Sequence, residues 1–301
     1  MKPADVQHPT STFVTDRGLS VRWLGTAGFE LIAPDGTTLL IDPYLTRVGL
    51  WDYLTKPIAP SVEKINAGIG RADAILVGHS HFDHVMDVPV IARQSGARVI
   101  GSVSTANLMQ AQSLPAHQIV QLDKHRRTTL EVGPFRITAI PSLHSPFALG
   151  KKVPYAGDIP CTCDIHLRGS GYRCGDVFSF LIEVDGFRMY HLGSANLAED
   201  QIPVEARDVD LLLMCIAARF ATPKFVTRAL AATTPRTVLP MHYDFMWRSA
   251  DKPMRLLPRT DFGRLVDEVQ GFSRGMSVLT LPLTARRPTP HDHPATPSPA
   301  R

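Results

Sequence analysis

His79-Ser80-His81-Phe82-Asp83-His84 places three imidazoles and a carboxylate within six residues. Imidazole nitrogen with carboxylate oxygen suits a borderline transition metal, zinc first and Mn2+ or Fe2+ next, rather than calcium or magnesium. In extended chain, side chains two apart point the same way, so His79 and His81 can share one ion. Asp83 and His84 come after the turn and can face a second ion. A metal that lowers the pKa of bound water supplies hydroxide near neutral pH, so metal-assisted hydrolysis is the expected chemistry. Asp83 lies beside the other donors and can orient or deprotonate that water, which makes it the candidate catalytic residue.

A rigid element must hold such a loop. The apolar run 72–77 reads as a buried strand that leads straight into the histidines, and 85–94 has helical spacing closed by Gly96. Period-two patterning and turn residues place further strands at 19–23, 28–32, 38–41, 98–101, 128–132, 135–140, 178–184, 187–191, 211–215, 237–241 and 277–281. Asp185-Gly186 is a strong hairpin signal. Helices are expected at 105–112, 223–232 and 261–269, while 46–70 reads as irregular around Pro57, Pro60 and Gly68. His144 follows the strand 135–140 and His242 follows 237–241, so both stand at strand ends, as the first cluster does. Hairpins open each half and strand–helix units follow. Two packed sheets with helices outside, an α/β architecture, accommodate that order.

The 301 residues, 44% hydrophobic and 20% charged, can bury a sizeable core. A formal net charge of +4 is mild, so a dedicated nucleic-acid binder is not expected. No export signal and no membrane-length apolar run is visible, and the four cysteines make no disulfide scaffold, so the reading is a reduced, cytoplasmic chain. Residues 1–16 read as a flexible leader, 17–284 as one domain, and 285–301 as a disordered Pro-rich tail in which His291 and His293 are solvated. Oligomeric state is left open.

The pattern His79-x-His81-x-Asp83-His84 resembles the signature of the metallo-β-lactamase superfamily. Gly25-Thr26-Ala27-Gly28-Phe29 and Ile41-Asp42-Pro43-Tyr44 are similar to the opening of its L-ascorbate-6-phosphate lactonase-like branch. Pro141-Ser142-Leu143-His144-Ser145 and Leu239-Pro240-Met241-His242-Tyr243 are similar to the segments that give the later metal ligands. The resemblance covers 19–283. It implies an αββα sandwich, with His79, His81 and His144 on one metal and Asp83, His84 and His242 on another. It further implies hydrolysis of a small ester-like substrate, a lactone or phosphodiester. The alternatives are a nuclease of the same fold, a mononuclear iron dioxygenase, and a degenerate metal-binding member without catalysis.

The chain departs from that pattern in one place. The family's bridging aspartate is replaced by Ser194 in His191-Leu192-Gly193-Ser194-Ala195-Asn196. An uncharged hydroxyl is a poor ligand, so the outcomes are two metals held by three side chains each, a weak second site, or a substitute carboxylate from Asp158, Asp176 or Glu199. His191 is a candidate for a supporting role. Cys161, Cys163, His166 and Cys174 could make a small zinc site, although their spacing matches no common module, and a loop beside the active site is the expected reading. Lys151, Lys152, Arg168 and Arg219 are candidates for binding an anionic small-molecule substrate, against ordinary surface charge.

Overall fold

A computed structural model describes residues 1–146, 152–164 and 166–287. Among them, fourteen strands form two seven-stranded sheets, each with its strands in sequence order. The first holds β1 (Thr12–Val14), β2 (Ser20–Gly25), β3 (Gly28–Ile32), β4 (Thr38–Ile41), β5 (Ala74–Leu76), β6 (Arg98–Gly101) and β7 (Ile119–Gln121). The second holds β8 (Thr128–Val132), β9 (Phe135–Ser142), β10 (Val177–Val184), β11 (Phe187–Leu192), β12 (Leu211–Cys215), β13 (Thr237–Met241) and β14 (Ser277–Val278). In both sheets the pairing is antiparallel up to the fourth strand and parallel after it.

The helices are α1 (Leu50–Thr55), α2 (Val62–Gly68), α3 (Phe82–Val85), α4 (Val88–Ser95), α5 (Val103–Ala111), α6 (Phe225–Thr233) and α7 (Phe262–Phe272). α4 and α5 pack on β5 to β7, and α7 packs on α6 and β14. The first sheet is therefore buried on both faces, which explains its continuous apolar strands. Leu39, Ile41, Ala74 and Leu76 point into the core shared with the second sheet. Their neighbours Leu40, Ile75 and Val77 point into a second core beneath the helices. Arg22 crosses this outer face, paired with Glu30 at 2.8 Å and donating to Gly68 O at 2.6 Å, which ties α2 to the sheet.

β2, β4 and β5 run parallel within the first sheet, as β9, β11 and β13 do within the second, and all six end at the same edge of the sandwich. The two sheets are stitched there, since Phe178 N donates to Gly78 O at 2.8 Å. At the opposite ends of the strands a cleft of about 340 Å³ opens between Phe13, Arg17, Asp210 and Arg236, with no cluster of metal-ligand type among the described residues.

Three expectations need correction. Part of the expected leader is strand: β1 pairs with β2, where Phe13 packs against the core and Thr12 is buried, and His8 N donates to Thr280 O at 2.8 Å. The segment 46–70 holds α1 and α2, the second started by Ser61, whose hydroxyl accepts from Lys64 N. Residues 285–287 run back along α2, with Arg287 N on Ala67 O at 3.0 Å. The remainder of the expected tail, with His291, His293 and Arg301, lies outside the described residues. No helix among the described residues is long and apolar enough to cross a membrane.

Candidate metal centre

The loops that leave the six strands converge. β5 delivers His79 through Gly78, β9 delivers His144, and β13 delivers His242. β4 delivers Asp42, β11 delivers Ser194, and β2 delivers the Gly25-Thr26 turn. His81, Asp83 and His84 lie at the start of α3 and within it, so one short helix aims three of the donors. Thr26, Asp42 and His242 adopt left-handed backbone at φ 46°, 42° and 60°. Such strain is tolerated where neighbours over-determine it, and it gathers at functional sites. Here His242 N donates to Thr26 O at 2.8 Å, Thr26 N to Asp244 Oδ1 at 2.9 Å, and Asp42 N to Leu76 O at 2.9 Å.

Two groups of donors result, His79 with His81 and His144, and Asp83 with His84 and His242, each with its ligand atoms within 4.8 Å of one another. His79 Nε2 lies 3.0 Å from His81 Nδ1, and His242 Nε2 lies 3.1 Å from Asp83 Oδ2. Two donors at zinc distance on one tetrahedral ion would sit roughly 3.3 Å apart, so both separations fit a shared cation. The two groups adjoin, since the rings of His79 and His84 are 3.8 Å apart.

The far ring nitrogens are held by the protein. His84 Nδ1 donates to Asp42 Oδ2 at 2.8 Å, His81 Nε2 to Pro154 O at 2.9 Å, and His144 Nδ1 to Ser145 O at 2.7 Å. Each such bond fixes a tautomer and leaves the opposite nitrogen with its lone pair toward the centre. Burial, and then the neighbouring imidazoles, push His79 well below the ordinary histidine value and His144 down to about 3. Burial likewise lowers His81, although Asp83 opposes it. These rings are neutral near pH 7, as metal ligation requires. Burial pushes Asp83 up, but His84 and the hydrogen bond from His242 outweigh it and hold the carboxyl well below its usual range. For His84 burial is outweighed by Asp42 and then Asp83, and the net direction is up.

The structure thus brings together His79, His81, Asp83, His84, His144 and His242. Ser194 stands differently from an aspartate in its place: its hydroxyl accepts from Ser145 N at 2.9 Å, while Asn196 Nδ2 donates to His144 O at 3.2 Å. Both brace the segment that carries His144. His191 is buried, donates to Ala27 O at 3.0 Å, and belongs to neither donor group. Among the described residues no substitute carboxylate joins the centre. Asp158 accepts from Ser104 at 2.8 Å, Asp176 lies 3.6 Å from Lys124 Nζ, and Glu199 is paired with Arg228 at 2.8 Å.

Cys161, Cys163 and Cys174 are free and form no ligand group with His166 among the described residues, and burial pushes the Cys174 thiol up to about 12. Of the candidate anion binders, Arg168 donates to Thr55 O at 2.9 Å and caps α1, and buried Arg219 donates to Asp261 O at 2.9 Å. Lys152 is exposed, and Lys151 lies outside the described residues. Sequence reasoning missed Asp42 as a support for His84. Its signal was an aspartate directly after the apolar run Leu39-Leu40-Ile41. The Pro154 carbonyl under His81 had none, because any residue offers one.

The chain matches the family model described as Beta-lactamase superfamily domain over residues 37–243. It is 31% identical over 228 residues to a UPF0173 metal-dependent hydrolase of Anaeromyxobacter dehalogenans (strain 2CP-C), covering 74% of each chain. A UPF0173 metal-dependent hydrolase of Carboxydothermus hydrogenoformans is 32% identical over 229 residues, covering 75% of this chain and 85% of that one. Among solved structures, Igni18, a metallo hydrolase from Ignicoccus hospitalis KIN4/I, superposes with a TM-score of 0.55 at 20% identity, covering 89% of this chain and 96% of that one. CmlA, a diiron β-hydroxylase from Streptomyces venezuelae, superposes with a TM-score of 0.57 at 17% identity, covering 93% of this chain and 54% of that one. At these identities the two structures speak for the fold alone. With the family model spanning more than two thirds of its length, the chain belongs to the metallo-β-lactamase superfamily, the one that also holds these metal-dependent hydrolases.

Proposed function

We propose that this protein is a metal-dependent hydrolase that cleaves a small ester-like substrate, a lactone or a phosphodiester, at the edge where the two sheets meet. The observation that carries the reading is the pair of adjoining donor groups, one of three imidazoles and one of two imidazoles with a carboxylate. His79, His81 and His144 would hold one ion and Asp83, His84 and His242 a second. The nitrogen-rich donor set favours Zn2+, with Mn2+ or Fe2+ as the alternatives. A bound divalent ion supplies positive charge that acidifies water and stabilises an oxyanion. The protein's own part is to keep His79, His81 and His144 neutral by burial, to fix the tautomers of His84, His81 and His144 through Asp42, Pro154 and Ser145, and to hold Asp83 ionised, so that it can accept a proton at Oδ2. The free thiols suit a reducing compartment.

Elemental analysis of the purified chain should find transition metal. Hydrolysis of γ-lactones or of bis(p-nitrophenyl) phosphate should disappear with a strong chelator and return with zinc. His79→Ala should lower the metal bound per chain by the ion its group holds and should lower activity at least ~100-fold. Undiminished turnover after exhaustive chelation would overturn the reading. The serine at 194 sets a second test: Ser194→Asp adds a carboxylate next to the segment that carries His144 and should raise the metal bound per chain. Equal content in the two proteins would show that the missing charge is immaterial.

A further inference from the structure

We infer that the substrate has an apolar tail, and that α1 with the aromatic rings behind it is the surface that receives that tail. The inference rests on the hydrolase reading for the position of the reacting group. The wall begins at the metal centre. Phe82 directly precedes Asp83, and its ring lies 4.6 Å from that of Tyr53 and 6.3 Å from that of Trp247, with Tyr53 and Trp247 at 5.7 Å. The Tyr53 hydroxyl lies beside Tyr155, whose neighbour Pro154 holds His81. The rings therefore border the site itself.

The wall continues outward along α1. At about 100° per residue, Tyr53, Leu50, Leu54 and Trp51 follow one another around a single arc of roughly 160°. Tyr53 is packed on Phe82, whereas Leu50, Leu54 and Trp51 are 42%, 61% and 75% exposed. A six-residue helix with no buried residue gains nothing for the core from leucine and tryptophan at these positions. It is nonetheless fixed in place. Arg168 caps its last turn through Thr55 O at 2.9 Å, Ile58 N donates to Leu167 O at 2.9 Å, and the Gly169 backbone lies so close to the Tyr53 ring that a Cβ there would come within 2.1 Å. A pinned, exposed apolar arc continuous with a reaction centre is the form a preorganised binding surface takes. Trp247 Nε1 adds a polar handle. It finds no acceptor among the described residues, so a ligand that parts the rings and brings one would gain a hydrogen bond there.

The test uses the full chain with its metal restored and two series of probes. Linear carboxylates from butyrate to decanoate report binding by calorimetry without any reaction. γ-Lactones with the same range of alkyl chains report turnover. Affinity and kcat/KM should each rise about threefold per added methylene over the first several carbons. In the double variant Trp51→Ser, Leu54→Ser that rise should flatten in both series while the thermal unfolding midpoint stays unchanged, since both side chains face solvent. Val204→Ser, an equally exposed residue outside this face, should keep it.

Carboxylates that bind with a chain-length trend while neither the lactones nor bis(p-nitrophenyl) phosphate is cleaved would uphold the surface and sink the hydrolase reading. Cleavage with no trend in either series would do the reverse. A trend that survives in the double variant would overturn the inference. So would sedimentation showing that α1 is covered by a second copy of the chain.

Discussion

The carboxylate of Asp42 accepts from Gly78 N at 2.7 Å through Oδ1 and from His84 Nδ1 at 2.8 Å through Oδ2. One buried residue thereby sets both the start of the histidine loop and the tautomer of a donor within it. Asp42→Asn can keep the first bond but turns an NH2 toward His84. The imidazole must then move its proton to Nε2, the nitrogen that faces Asp83 and the centre. The expected outcome is a 10- to 100-fold loss of metal affinity, measured by competition with a chromophoric chelator, with the fold retained. Unchanged affinity would mean that His84 is oriented by packing alone.

At the scale of elements, the turn between β2 and β3 shows how a site is built from tight approaches. Gly25 has φ +92°, and a Cβ there would lie 2.2 Å from Arg47 Nη1 and 3.2 Å from Asp244 Oδ2. Arg47 and Asp244 form a buried pair, and Asp244 also receives Thr26 N. Gly96, at φ +75° after α4, has open space around it. Gly96→Ala should therefore lose about 1 kcal/mol of unfolding free energy, the penalty of the left-handed backbone. Gly25→Ala should lose about 3 kcal/mol or more, because it also disturbs a buried ion pair. Urea unfolding of the two variants compares them directly. A loss at Gly25 no larger than that at Gly96 would mean that Arg47 moves aside freely.

For the molecule as a whole, stability should carry a pH dependence from Asp87. This fully buried carboxyl accepts from Leu45 N at 2.6 Å, Thr46 N at 2.8 Å and Thr46 Oγ1 at 2.5 Å, which ties the loop after β4 to the helices after the histidines. Burial raises its pKa from 3.8 to about 6, against those hydrogen bonds. Between these two values the folded chain keeps the proton and the unfolded chain loses it. The contribution is thus present below the unfolded value and fades as pH climbs through about 6, by on the order of 3 kcal/mol. Asp87→Asn removes the titration. The advantage of the parent over the variant should shrink from pH 4 to pH 7 in urea unfolding, and an advantage that stays constant would refute the assignment.

Local pattern determined much of this protein. Periods of two, Asp185-Gly186 and Gly96 mark most of the strands, a hairpin and a helix end, because they act over neighbouring residues. The packed histidines and carboxylate announce metal chemistry for the same reason: type and spacing suffice. β1, α1 and α2 were not legible, since short amphipathic pieces take their form from the surface they meet. The convergence of His144 and His242 on a loop far away in sequence was hinted at by strand ends but decided by the order of two sheets. The use of Asp42 and Pro154 to aim imidazoles, the diversion of Ser194 to brace His144, and the capping role of Arg168 exist only in three dimensions. Each depends on distances of about 3 Å between residues that no local pattern relates.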